Sequence, residues 1–121
     1  MEEEENRKTY DLEARSEQFA RDCRALIRIL PRTLTNREDA RQLTRASGSV
    51  PANYLEANES LSKKDFLLRI KISRKEAKEC RLWLRLLFTD GSSAQAARRD
   101  DLVREATELM NIFGAILRKS E

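Results

Sequence analysis

Apolar residues recur along this chain at helical intervals. Leu12, Phe19, Cys23, Leu26 and Leu30, with Ala14 and Ile27 beside them, step by 7, 4, 3 and 4. That spacing marks one face of a helix from about Asp11 to Leu30. Pro31 then ends it. A second seam, Ala40, Leu43, Ser47, Val50, Tyr54 and Ala57, begins near Asn36. Thr35 or Asn36 is its expected cap, with Glu38 and Asp39 in the first turn, where the helix dipole favours acids. The phase continues through Pro51, which predicts one Pro-kinked second helix rather than a stop. Gly48 would leave room for the bend, and the Ser47 and Ser49 hydroxyls could satisfy freed backbone groups. The alternative is two short helices meeting at Gly48–Pro51.

A third seam, Phe66, Ile70, Ser73, Ala77, Cys80, Leu84 and Leu87, alternates steps of 4 and 3 without a fault. Leu67, Trp83 and Leu86 widen it. Ser62 is placed to cap, with Asp65 three positions on, and "TDGSS" follows the expected end near Phe88. The fourth helix is expected from about Ala94 to Lys119. Its seam is Leu102, Ala106, Leu109, Phe113 and Ile116, with a parallel line of Val103, Met110 and Leu117. Asp100 and Asp101 are expected near its start, and Arg118 and Lys119 at its end. Long helices with short connections predict an all-α, antiparallel up-down-up-down four-helix bundle. The whole chain, residues 1–121, reads as a single domain in which residues 1–9 form a flexible acidic tail.

Composition agrees with long helices whose outer faces are charged. Charged residues make up 37% of the chain, while glycine (3) and proline (2) are too scarce for many-turned β architectures. The net charge of +3 is unevenly placed, because residues 62–88 hold 9 basic and 3 acidic side chains. Such a segment is either a nucleic-acid surface or a solvated helix face. Cys23 and Cys80 fall on the apolar seams and make no CxxC pair, as expected of buried reduced thiols in the cytoplasm. The opening "MEEEENRK" lacks the apolar segment of a secretory signal, and no run approaches a membrane span.

The chain has no histidine. That removes Ser–His and Cys–His nucleophiles, the usual zinc sites and the Glu-x-x-His di-iron motif. The carboxylate pairs Glu56/Glu59 and Glu76/Glu79 have a spacing common by chance on charged helices. The chain is therefore expected to be no enzyme and to hold no cofactor or metal.

Two groups of polar residues remain as candidates. On the third helix Lys64, Lys71, Lys75 and Lys78 form one stripe, and Lys71, Arg74, Lys78, Arg81 and Arg85 another. Clustered cations of this kind meet phosphates, although no aromatic row accompanies them for base stacking. Lys63 and Arg69 belong to the same basic set. At the expected kink, Arg45, Asn53 and Glu56 can share one side of the second helix, and Glu79 can meet them from the third. One reading is a site binding a nucleotide or phosphate through Arg45. The preferred one is a structural polar network, in which Asn53 satisfies backbone groups freed by Pro51 and Arg45 pairs with Glu56 or Glu79. Trp83 is read as core or subunit interface rather than a ligand platform.

The segment "RASGSVPANYLEANESLSKKDF", residues 45–66, resembles the pattern R-x-x-x-S-x-P-x-N-x-x-E-(G) followed by S-x-x-E/D-F. That pattern marks the small four-helix-bundle proteins related to those encoded in intervening sequences of bacterial 23S ribosomal RNA genes. "SRKEAKECRLWLRLL", residues 73–87, is similar to the KEAKE…WL..L segment of one branch of the family. The resemblance extends over residues 10–119. Asn58 departs from it, standing where many relatives carry glycine. The resemblance implies a homo-oligomer, with five-membered rings known, and RNA or DNA binding as the usual proposal. A distant relative, the accessory protein of diversity-generating retroelements, is a basic ring that works with a reverse transcriptase and nucleic acid. That adds a reverse transcriptase as a possible protein partner. No catalytic residues carry over. The sequence thus ranks a nucleic-acid-associated oligomer first, a protein-interaction scaffold ring without nucleic acid second, and a carboxylate-based enzyme last.

Overall fold

The computed structural model describes residues 2–120, and the side chains of residues 11–120. Four helices form from the four apolar seams: α1 Glu2–Ile29, α2 Leu34–Asn58, α3 Lys63–Leu86 and α4 Ser93–Ser120. No strand occurs among the described residues.

Several helices start earlier than the apolar pattern predicts, because caps lie upstream of the first apolar position. The α2 cap is Thr33, not Thr35 or Asn36; its extended backbone lets Oγ1 accept from the Asn36 N–H at 3.1 Å. Glu38 and Asp39 consequently fall beyond the first turn. Ser62 caps α3 as expected, accepting from the Asp65 N–H at 3.1 Å. Ser92 accepts from the Gln95 N–H at 3.2 Å ahead of α4, so Asp100 and Asp101 also lie past the first turn. The α1 backbone is helical from Glu2 rather than Asp11, consistent with glutamates favouring a helix N-terminus. The side chains of the expected tail, residues 1–9, lie outside the described ones. Between α3 and α4 the chain reverses through Asp90 (φ 52°) and Gly91 (φ 75°).

Cross-helix contacts fix the direction of every neighbour. Arg24 meets Thr44 and Ser47 of α2, and Glu13 meets Asn58. Arg45 meets Glu76 of α3, while Asn53 meets Arg69. Arg15 meets Glu105 of α4, and Gln95 meets the Ile29 carbonyl. In each pair the numbers run in opposite senses, so adjacent helices are antiparallel. α1 packs on α2, α2 on α3 and α3 on α4, and α1 closes the ring against α4.

The seams meet in one core. Phe19, Cys23, Leu26, Leu43, Val50, Ile70, Cys80, Leu84, Leu109 and Phe113 are fully buried. Tyr54 and Phe113 pack ring against ring at 5.8 Å. On α4 the last core position is Leu117, whereas the expected Ile116 is only half-buried.

Candidate nucleic-acid interface

Pro51 lies inside an unbroken α2, so the alternative of two short helices fails. The polar groups around it differ from expectation in their partners. Asn53 Nδ2 donates to the Ser49 carbonyl and to Ser49 Oγ, both at 2.9 Å. That is the carbonyl one turn back, the natural reach of a short amide on a helix, and not the Ser47 carbonyl that Pro51 leaves without its N–H. Asn53 Oδ1 accepts from Arg69 Nη1 of α3 at 3.2 Å. Next to Pro51, the buried Ser73 hydroxyl donates to the Val50 carbonyl at 3.0 Å.

Arg45 pairs with neither Glu56 nor Glu79. Its Nη1 meets Glu76 Oε2 at 3.3 Å, and Glu76 is 6% exposed. The register explains the choice: Glu76 and Arg69 lie on the flank of α3 turned to α2, whereas Glu79 lies further round the helix at about 100° per residue. Arg69 also lies 3.7 Å from Asp65, so it belongs to this network and not to the basic face. Three of these contacts, Arg45–Glu76, Arg69–Asn53 and Ser73–Val50, brace α2 against α3.

Sequence reasoning missed Arg24 and Asn36. Arg24 reaches from α1 to α2, donating to Ser47 Oγ at 3.2 Å and the Thr44 carbonyl at 3.3 Å, and to the Ala20 carbonyl of its own helix. A Cβ on Gly48 would stand 3.2 Å from Arg24 Nη2, so the guanidinium occupies the space beside the glycine. Asn36, read as a possible cap, is instead 3% exposed and ties the start of α2 to the end of α3. A lone cation near an apolar seam and a glycine in a helical phase were the available signals for Arg24.

The basic set on α3 is arranged as the stripes predict. Lys64, Lys71, Arg74, Lys75, Lys78 and Arg85 are exposed, and Arg81 is half-buried. None of the seven has a hydrogen bond or ion pair with a described side chain. Counting about 100° per residue from the buried seam, six of them fall on the half of the helix turned toward α4 and Lys75 points straight out to solvent. The opposite margin carries Leu68, Ile72, Trp83 and Leu86. Leu68 and Leu86 are about half exposed, and the buried Trp83 Nε1 has no hydrogen-bond acceptor among the described residues. The outer surface of α3 is therefore basic on the side toward α4, with the exposed Leu82 among its cations, while the opposite margin carries the two leucines together with Glu79.

The acids of α4 do not neutralise the basic strip. Glu105 and Glu108 face α1, where Arg15 binds them; Arg15 Nε and Nη2 meet the two Glu105 oxygens at 2.8 and 2.7 Å. Asp100 and Asp101 pair with Arg99 and Arg104. Among the described residues no group of acidic or cysteine side chains is placed to hold a metal ion. Both thiols are buried. Desolvation pushes Cys80 up to about 12, aided by Glu76 and Glu79, and raises Cys23 as well. Among the described residues, no helix is long and apolar enough to cross a membrane.

A family model described as 23S rRNA-intervening sequence protein matches residues 8–115. No curated protein sequence matches the chain. Among solved structures, it is similar to a Bacteroides thetaiotaomicron protein of unknown function from the S23 ribosomal protein family. The two share 25% identity and a TM-score of 0.75, over 92% of this chain and 98% of that one.

Proposed function

The chain belongs to the 23S rRNA-intervening sequence protein family, and from that premise we propose that it is a non-catalytic homo-oligomer associating with RNA or DNA through α3. The observation that carries this reading is the row of seven α3 cations, Lys64, Lys71, Arg74, Lys75, Lys78, Arg81 and Arg85, none paired with a described side chain. A solvated helix face that serves only solubility mixes both signs. Here the cations gather on one margin and the neighbouring acids of α4 are tied elsewhere. Repeating a modest cationic row around an oligomer, such as the five-membered ring implied by the family resemblance, raises its avidity for a polyanion without any new contact.

Oligomerisation itself is supported by the apolar margin of the same helix. Leu68 and Leu86 are exposed there, and Trp83, one turn from Leu86, carries an unsatisfied N–H. A helix margin that leaves leucines exposed offers a partner apolar surface to cover. The same observation favours the second reading, a scaffold ring that binds protein, for example a reverse transcriptase, and no nucleic acid. Two buried free thiols fit a reducing cytoplasm.

The test is light scattering after size exclusion, with and without a pool of short RNA and DNA, at low and high salt. An oligomer that retains nucleic acid at low salt and releases it at high salt supports the first reading. An oligomer indifferent to nucleic acid at both salts leaves the scaffold, and a monomer removes both.

A further inference from the structure

On α4, the buried Gly114 lies opposite the basic strip of α3. A Cβ at this position would stand 3.4 Å from Arg118 Nη1, 3.8 Å from Arg74 Cδ and 3.9 Å from Arg74 Nη1. Two guanidinium groups, one from each helix, thus converge within 4 Å of the same point. Neither is paired with a described side chain. Like charges brought together without an acid repel one another. The last-turn carbonyls of α4 account for a cation at Arg118, but they do not account for Arg74 being held over the same place.

Glycine in a helix interior costs stability relative to alanine. Here its missing side chain leaves a methyl-sized notch bordered by both planar, five-donor groups, Arg118 Nη1 at 3.4 Å and Arg74 Nη1 at 3.9 Å from the Cβ position. Guanidinium pairs of this kind suit a tetrahedral oxyanion, which accepts from both forks at once. Lys71 lies one turn from Arg74 on the same stripe. Glu105 and Glu108 of α4 face the other way, toward Arg15, while Asp100 and Asp101 pair with Arg99 and Arg104.

We propose that Arg74 and Arg118, converging over Gly114 in the groove between α3 and α4, form a phosphate-binding subsite. It rests on the nucleic-acid reading above, for which it names Arg118 as a contact from outside α3 and a backbone phosphate as the group held.

The test uses the full chain and two probes. In arginine Nε–H NMR spectra, inorganic phosphate should shift Arg74 and Arg118 and leave Arg21, an exposed α1 arginine paired with Glu17, in place. Arg118→Gln should abolish the Arg74 shift. With a labelled single-stranded oligonucleotide, Arg118→Gln should lower the slope of log affinity against log salt by about 0.7, the value of one lost phosphate contact. Gly114→Ala, which fills the notch with one methyl group and leaves both arginines in the chain, should weaken the phosphate shift. Equal phosphate shifts at Arg21, Arg74 and Arg118 would overturn the subsite. So would an unchanged salt slope in Arg118→Gln while the parent chain binds the oligonucleotide, and the nucleic-acid reading would then stand without it. Selective phosphate shifts in a chain that ignores every oligonucleotide would uphold the subsite as a phosphate site and remove the nucleic-acid reading alone.

Discussion

Asn36 holds Phe88 by both of its backbone groups. Nδ2 donates to the Phe88 carbonyl at 2.8 Å, and the Phe88 N–H donates to Asn36 Oδ1 at 2.8 Å. The same amide donates to the Pro31 carbonyl at 3.0 Å. One buried side chain thus closes the end of α3, the start of α2 and the connection before it.

Replacing Asn36 therefore strands several groups away from water. Asn36→Ala should destabilise the protein by about 2–3 kcal/mol, the cost of leaving buried backbone groups unpaired. Urea unfolding measures this directly. A loss below about 0.5 kcal/mol would mean that the staple is replaced by water.

Arg24 and Gly48 compete for one space. Gly48→Ala gains about 1 kcal/mol of helix propensity, but its Cβ would crowd Arg24 Nη2 at 3.2 Å and disturb the bonds to Thr44 and Ser47. In the parent chain the two effects should nearly cancel. In an Arg24→Ala background the same substitution should stabilise by about 1 kcal/mol. Equal effects in both backgrounds would deny the coupling.

One ion-pair cluster spans the α1–α4 contact beside the Gln95–Ile29 bond. Arg15 bridges Glu105 in a two-pronged geometry and also reaches Glu108. A double-mutant cycle with Arg15→Ala and Glu105→Ala should return a coupling of about 1 kcal/mol. It should shrink at high salt, since Arg15 is 39% exposed.

Alkaline pH should act through the thiols. Burial raises Cys80 from an ordinary 9.0 to about 12. Below about pH 9 both states keep the proton and the burial of a neutral thiol contributes in full. Above it the unfolded chain loses a proton that the folded chain retains, so stability falls as pH rises toward 12. One thiol gives a slope near 1.4 kcal/mol per pH unit. Cys80→Ala should flatten the alkaline fall in urea midpoint by about that amount. An unchanged slope would place the cause in other groups.

The basic strip should set the salt dependence of any nucleic-acid retention. Lys71→Glu, Lys75→Glu and Lys78→Glu together change only exposed positions, so the helix content should hold. Retention at low salt should be lost, with the salt slope lowered by about 2–3. Undiminished retention would move the interface off α3.

The seams of Phe19, Val50, Cys80 and Leu109 were legible in the sequence because burial on a helix imposes its period on the residues. The phase across Pro51 likewise foretold one continuous α2, and the stripe from Lys64 to Arg85 was readable because one helix carries all of it. Contacts between helices were not readable. Whether Arg45 meets Glu56, Glu76 or Glu79 depends on the rotation and offset of α3 against α2, and a shift of one turn changes the answer. The approach of Arg74 and Arg118 to Gly114, and of Arg24 to the space beside Gly48, depends on the same packing. Periodicity fixed which face of each helix is buried. Only tertiary packing, which sets register to within a side chain, decided which polar groups meet and which cations are left unpaired.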